Sequence, residues 1–150
     1  MSDVTQTSGL ETACQPGLQA LRAIDRSRIT ARQPRRLTGS VDVDKALMDR
    51  FPDANRWDYV AASQSSDNAE YLYWIEVHRA TGTDTIGEVS AKLTWLKEWL
   101  CNDGARLNGY RRAFVWIATG RSAFQQNSPQ LKRLAAAGII FAGGHYTIPE

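Results

Sequence analysis

Cysteine is nearly absent: Cys14 and Cys101 stand far apart in 150 residues and form no CxxC pattern. A disulfide-stapled scaffold is thereby excluded, a cysteine zinc site has no support, and a reducing compartment fits. Histidine is equally scarce, and the isolated His78 and His145 do not make a zinc site. No apolar run approaches the length of a membrane span, and Met1-Ser2-Asp3-Val4-Thr5 lacks the apolar stretch of a secretion signal. The expectation is a cytoplasmic protein with no membrane association. P-loop, GxGxxG, GxSxG and HExxH patterns are missing too, so their phosphate, dinucleotide, acyl-transfer and metalloprotease chemistries find no motif here.

What remains is ordinary in bulk and uneven in detail. With 43% hydrophobic and 23% charged residues, the chain has the composition of one globular domain with a substantial core. Of its five tryptophans, Trp57, Trp74, Trp95 and Trp116 fall in expected regular elements, which favours core packing over a stacking platform. Charge is asymmetric. From Arg22 to Arg36 six arginines face one acid, Asp25, a local balance of +5 that leaves about −3 on the rest of a +2 chain. Residues 1–36 therefore read as a flexible basic N-terminal arm and 37–150 as a single α/β domain, with a short helix allowed over Gly17–Arg28. Arg32, Arg35 and Arg36 are candidate nucleic-acid contacts, because such a cluster can track a phosphate backbone.

Periodicity predicts the elements of the domain. A helix is expected from about residue 42 to 51, where Val43, Leu47 and Phe51 are helically spaced and Pro52 stops the run. Arg56–Ala62 and Tyr71–Ala80 read as strands around a polar loop, Ser63–Glu70. A long helix opens at the capping-box pattern Thr85-Ile86-Gly87-Glu88, with Ile86, Val89, Leu93, Leu96 and Leu100 as its core stripe. Arg112–Thr119 is apolar on both faces, as for a strand covered on both sides. A helix follows from Ser128-Pro129 to Ala137. Ile139–Ala142 and His145–Ile148 then read as two short strands around the Gly143-Gly144 turn. The fold class is α/β, a mixed central sheet flanked by helices.

The second strand carries the chemical clue. Glu76 and His78 are two residues apart, so a period of two puts both on the face of Leu72 and Trp74, where unpaired polar groups are costly. If the strands pair as a hairpin centred near Asp67, facing residues sum to about 134, and Asp58 stands opposite Glu76. Two opposed carboxylates repel unless an arginine or a divalent cation neutralises them.

An aspartate on one strand, an acid on the next, a polar residue two further on, then a helix and another strand resembles the PD-(D/E)XK nuclease-like superfamily from about Val41 to Thr119. The resemblance implies a restriction-endonuclease-like core. It also implies that Asp58 and Glu76 hold Mg²⁺ or Mn²⁺, with Asp44 on the preceding helix as a further acid. The usual lysine position is His78, which can ligate metal or act as a base. Some members move the lysine to the following helix, where Lys92 fits. Trp57 stands where a proline usually precedes the first acid, and Arg36–Val43 is available as a third strand before the long helix. The implied catalytic set is Asp58, Glu76, His78 and Lys92, acting on nucleic acid phosphodiesters. The alternative is a non-catalytic module on the same scaffold with a protein or nucleic-acid partner.

Overall fold

A computed structural model describes residues 1–149. Its strands are β1 (Ile29–Ala31), β2 (Leu37–Asp42), β3 (Tyr59–Gln64), β4 (Glu70–Arg79), β5 (Arg111–Thr119), β6 (Ile139–Phe141) and β7 (Tyr146–Ile148). The α-helices are α1 (Ser2–Thr5), α2 (Ala23–Arg26), α3 (Val43–Leu47), α4 (Thr83–Cys101), α5 (Ala105–Asn108) and α6 (Pro129–Ala136). Strands β2 to β6 form one sheet in chain order, and β1 pairs with β7 in a separate two-stranded sheet. The β2–β3 and β3–β4 pairs are antiparallel, whereas β4–β5 and β5–β6 are parallel. This is a mixed α/β sheet with α4 as the crossover between β4 and β5, the connection that parallel neighbours need. Among the described residues no helix is long and apolar enough to cross a membrane.

The β3–β4 hairpin has the expected register. Tyr59 faces Ile75, Ala61 faces Tyr73 and Gln64 faces Glu70. The turn holds that register through its own hydrogen bonds: Ser65 N–H donates to the Ala69 carbonyl at 2.8 Å, and Asn68 takes a positive φ of 61°. Asparagine tolerates this conformation better than most residues. Region 36–43, available for a third strand, supplies β2.

Each face of the sheet has its own core. Val60, Ala62, Leu72, Trp74, Trp116 and Ala118 pack under α4, whose Ile86, Val89, Leu93, Leu96 and Leu100 are all buried as the stripe requires. Tyr59, Ala61, Tyr73, Ile75, Val115 and Ile117 form the opposite core, closed by Leu21, Ile29 and Ile148. The latter three come from segments outside the main sheet.

Several expectations change. Residues 1–36 are packed against the domain instead of hanging from it: Val4, Thr7, Leu10, Leu21, Asp25 and Ile29 are buried. Polar composition hid apolar anchors spaced too widely to register as a periodic pattern. The helix expected over Gly17–Arg28 shrinks to α2, because Gly17 enters at φ +56° and the following turns close through i to i+3 bonds. The helix expected over 42–51 is the five-residue α3. Helix α4 begins at Thr83, and the Thr85 hydroxyl donates to the Gly82 carbonyl at 2.6 Å, so no capping box forms at Thr85. The last two strands do not pair as a hairpin; β6 joins β5 and β7 joins β1.

Candidate active site

Asp58 lies one residue before β3, where the regular ladder ends and side chains take over. Its N–H donates to Glu76 Oε2 at 3.2 Å, and its Oδ2 accepts from the Val77 N–H at 2.9 Å. Its carbonyl accepts from Val43 N–H at 2.8 Å and Asp44 N–H at 3.3 Å, tying it to the start of α3. The hairpin register therefore continues as a reciprocal clasp between Asp58 and the Glu76–Val77 backbone and carboxylate. Trp57, one residue earlier, has left the strand alternation. It is fully buried in the α4-side core, edge-on to Phe114 at 6.2 Å, and not on the face of Tyr59.

Lys92 completes the cluster from α4. Its Nζ pairs with Glu76 Oε1 and lies 3.5 Å from Asp58 Oδ1. The Glu76 side chain is wholly buried, whereas those of Asp58 and Lys92 retain 19% and 22% of their exposure. The cluster thus opens to solvent on the Asp58–Lys92 side. Burial first, and then the charge of Asp58, pushes the Glu76 carboxyl up to about 8, against the opposing pull of Lys92. Burial likewise raises Asp58, with Lys92 and the Val77 N–H opposing. At Lys92 burial acts to lower the pKa, but Glu76 and Asp58 outweigh it and the ammonium is held above its ordinary value. Lys92 therefore stays a cation, and the cluster takes its extra proton on the carboxylate side. The three groups titrate as a unit.

The other sequence candidates lie elsewhere. His78 Nε2 is hydrogen-bonded to Glu88 Oε2 at 2.5 Å, and Glu88 also holds Arg79 at 2.9 Å. The imidazole is thus committed to the first turns of α4, one turn before Lys92, and is not in the clasp. Asp44 lines the same cleft as Asp58, but its carboxylate is held by Arg56 Nε at 2.9 Å. Arg35 and Arg36 occupy a 3-10 turn before β2, at the end where Leu37 pairs with Ser63; the site is at the other end, where Asp42 pairs with Tyr59. Five strand steps separate those ends, roughly 17 Å. Arg32 lines a different groove with Tyr71, Tyr73 and Arg111.

Residues not singled out from sequence frame the cleft. Arg22, Asp42, Lys45 and Tyr59 line it beside Asp58. Tyr59 donates to Asp25 Oδ2 at 2.6 Å, and Arg22 Nε bonds both Asp25 and the Tyr59 oxygen at 2.9 and 3.0 Å. The one sequence signal for this lock was Asp25, the lone acid in an arginine run.

Comparison of the chain with protein-family models, curated proteins and solved structures finds no match. The chemistry of the site must therefore be read from its own groups. Asp58 and Glu76 supply the hard oxygen donors that Mg²⁺ or Mn²⁺ takes, and Mg²⁺ commonly needs only one or two protein carboxylates. Among the described residues no three His, Cys, Asp or Glu side chains converge on one point. Asp58 and Glu76 would be the residues to hold such an ion, which would keep most of its water.

Proposed function

We propose that the chain is a divalent-metal-dependent hydrolase of nucleic acid phosphodiesters, on a restriction-endonuclease-like core. The observation that carries this reading is the convergence of Asp58, Glu76 and Lys92, from two adjacent strands and the crossover helix, at one end of the sheet. The sheet order, with three antiparallel strands followed by a crossover helix and a parallel strand, supports it.

In this reading Asp58 and Glu76 hold Mg²⁺ or Mn²⁺. When bound, that ion supplies charge neutralisation at the scissile phosphate and acidifies the attacking water. Lys92, kept cationic by its neighbours, donates hydrogen bonds; it orients the water and stabilises charge developing on the phosphate oxygens, and it does not serve as the base. The clasp between Asp58 and the Val77 N–H fixes one carboxylate oxygen, so less ordering remains to be done when substrate arrives. His78 stands outside this set as a positioning residue for α4 through Glu88.

The deciding experiment measures cleavage of single- and double-stranded DNA and RNA with Mn²⁺ or Mg²⁺. Asp58→Asn, Glu76→Gln and Lys92→Met should each lower cleavage by at least 100-fold, while His78→Ala leaves most of it. Activity that survives Asp58→Asn would refute the proposal. One observation favours a non-catalytic binding module instead: Lys92 already bridges the two carboxylates, so the cluster compensates much of its own charge. That reading expects no metal-dependent shift in melting temperature and no cleavage.

A further inference from the structure

A groove leads away from Asp58, formed by two adjoining hollows. The first, about 460 Å³, contains Asp58, Tyr59 and Asp44; the second, about 630 Å³, continues over Thr12, Gln15 and Gln19. Arg22, Asp42 and Lys45 line both, so the hollows adjoin at these residues. Resting on the hydrolase reading, we propose that this groove holds the polynucleotide strand adjoining the scissile phosphate, with Lys45 as its phosphate contact, and that it does so only together with the divalent ion.

The charges of the groove single out Lys45. Arg22 is tied to Asp25, with its NH2 group 2.7 Å from Oδ2, and to the Tyr59 oxygen. Asp44 is tied to Arg56. Asp42 Oδ1 accepts from the Lys45 N–H at 2.9 Å and caps α3. The Lys45 ammonium is exposed, and among the described residues no carboxylate pairs with it. It is the groove cation available to an incoming anion. Beyond it, Thr12, Gln15 and Gln19 offer uncharged donors and acceptors suited to sugar and base edges. The groove's aromatic ring, Tyr59, has its hydroxyl committed to Asp25. Recognition therefore falls on the backbone of the strand and not on stacked bases.

The metal requirement follows from the balance of these charges. Arg22, Lys45, Arg56 and Lys92 are matched by Asp25, Asp42, Asp44 and Asp58, and Glu76 adds no charge while it keeps its proton. Without a divalent ion the groove has no net attraction for a polyanion. With the ion, two positive charges enter beside Asp58, and strand and metal each raise the other's affinity by the same factor.

The test is fluorescence anisotropy of labelled oligonucleotides on the full chain, with Ca²⁺ against EDTA at fixed ionic strength. Three proteins are compared: the native chain, Lys45→Glu, and Lys132→Glu. The last makes the same charge change at an exposed position on α6, which packs on β6 at the opposite sheet edge. Ca²⁺ should tighten native binding by at least tenfold. Lys45→Glu should weaken it about tenfold and reduce the salt slope by about 0.7 to 0.9, one phosphate contact. Lys132→Glu should stay within twofold. Equal losses in both variants, or native binding unaffected by EDTA, would overturn the groove proposal. Binding without cleavage would uphold it while removing the hydrolase reading. Cleavage unimpaired by Lys45→Glu would overturn the groove alone, and absence of any binding would overturn both.

Discussion

A single proton decides the behaviour of the Asp58–Glu76–Lys92 cluster. In the folded protein Glu76 keeps its proton up to about pH 8, whereas unfolded it releases it near its ordinary value of 4.5. The native state binds more protons across that window, so stability should fall as pH rises from about 4.5 to 8, by at most about 1.4 kcal/mol per unit for one group. Denaturant titrations at stepped pH check this, and Glu76→Gln should flatten the slope. In the proposed metal-dependent reading, a bound divalent ion must displace the same proton. Mg²⁺ or Mn²⁺ should therefore raise the melting temperature more at pH 8.5 than at pH 6, and Glu76→Gln should abolish the difference. Lys92→Met has the opposite consequence. It leaves Asp58 and Glu76 facing each other without their cation, a change that costs roughly 3–5 kcal/mol when a buried pair is broken. The loss should be largest above pH 8 and shrink in acid, where protonated Glu76 no longer needs a partner. An equal loss at every pH would mean that Lys92 acts by packing alone.

Among the elements, those whose apolar residues repeat at their own period were legible, and those held by scattered contacts were not. Strand β4 alternates, its hairpin loop is polar and short, and the register summing to 134 follows from those two facts; it holds from Gln64–Glu70 to Tyr59–Ile75. Asp58 and Glu76 were found because they extend that register by one step. Lys92 came from the resemblance, which allows the lysine on the following helix, and not from periodicity; the structure gives Lys92 to the acids and His78 to Glu88. The burial of Leu96 in the α4 stripe yields a direct check: Leu96→Ala should cost about 2–5 kcal/mol in urea titrations with an unchanged m value. What escaped was the partnering of short elements. Nothing local distinguishes β7 as a partner of β1 instead of β6, since three-residue strands carry little pattern. The choice is made in three dimensions, where Ala118 N–H bonds the Gly143 carbonyl and Tyr146 N–H bonds the Arg28 carbonyl.

At the scale of the whole molecule, the first 36 residues serve both cores: Val4 and Leu10 join the one under α4, and the segment with Leu21 and Ile29 covers the opposite face of the sheet. Leu21 and Ile29 close the core over Tyr59, Ala61, Tyr73 and Ile75, with β1 clamped by β7 from the far end of the chain. The Asp25–Tyr59–Arg22 lock fastens this cover to β3 immediately beside Asp58. The composition of residues 1–36 suggested a detached arm because six arginines dominate the average, while the anchors are single residues many positions apart. If the cover is integral, the amides of Ile29–Ala31 should exchange hydrogen as slowly as those of β3, since both open only on global unfolding. A detached arm would exchange them within the time of its own local opening. Tyr59→Phe should weaken the lock by about 1–2 kcal/mol, because Asp25 loses a buried donor. It should speed exchange at Ala23–Ala31 while leaving Val89–Leu100 of α4 protected. Deleting residues 1–36 should do more than remove charge. It bares the apolar face of β3, β4 and β5, and the truncated chain should aggregate or lose its cooperative transition. A truncated chain that melts cooperatively near the native temperature would show that the sheet is complete without its cover.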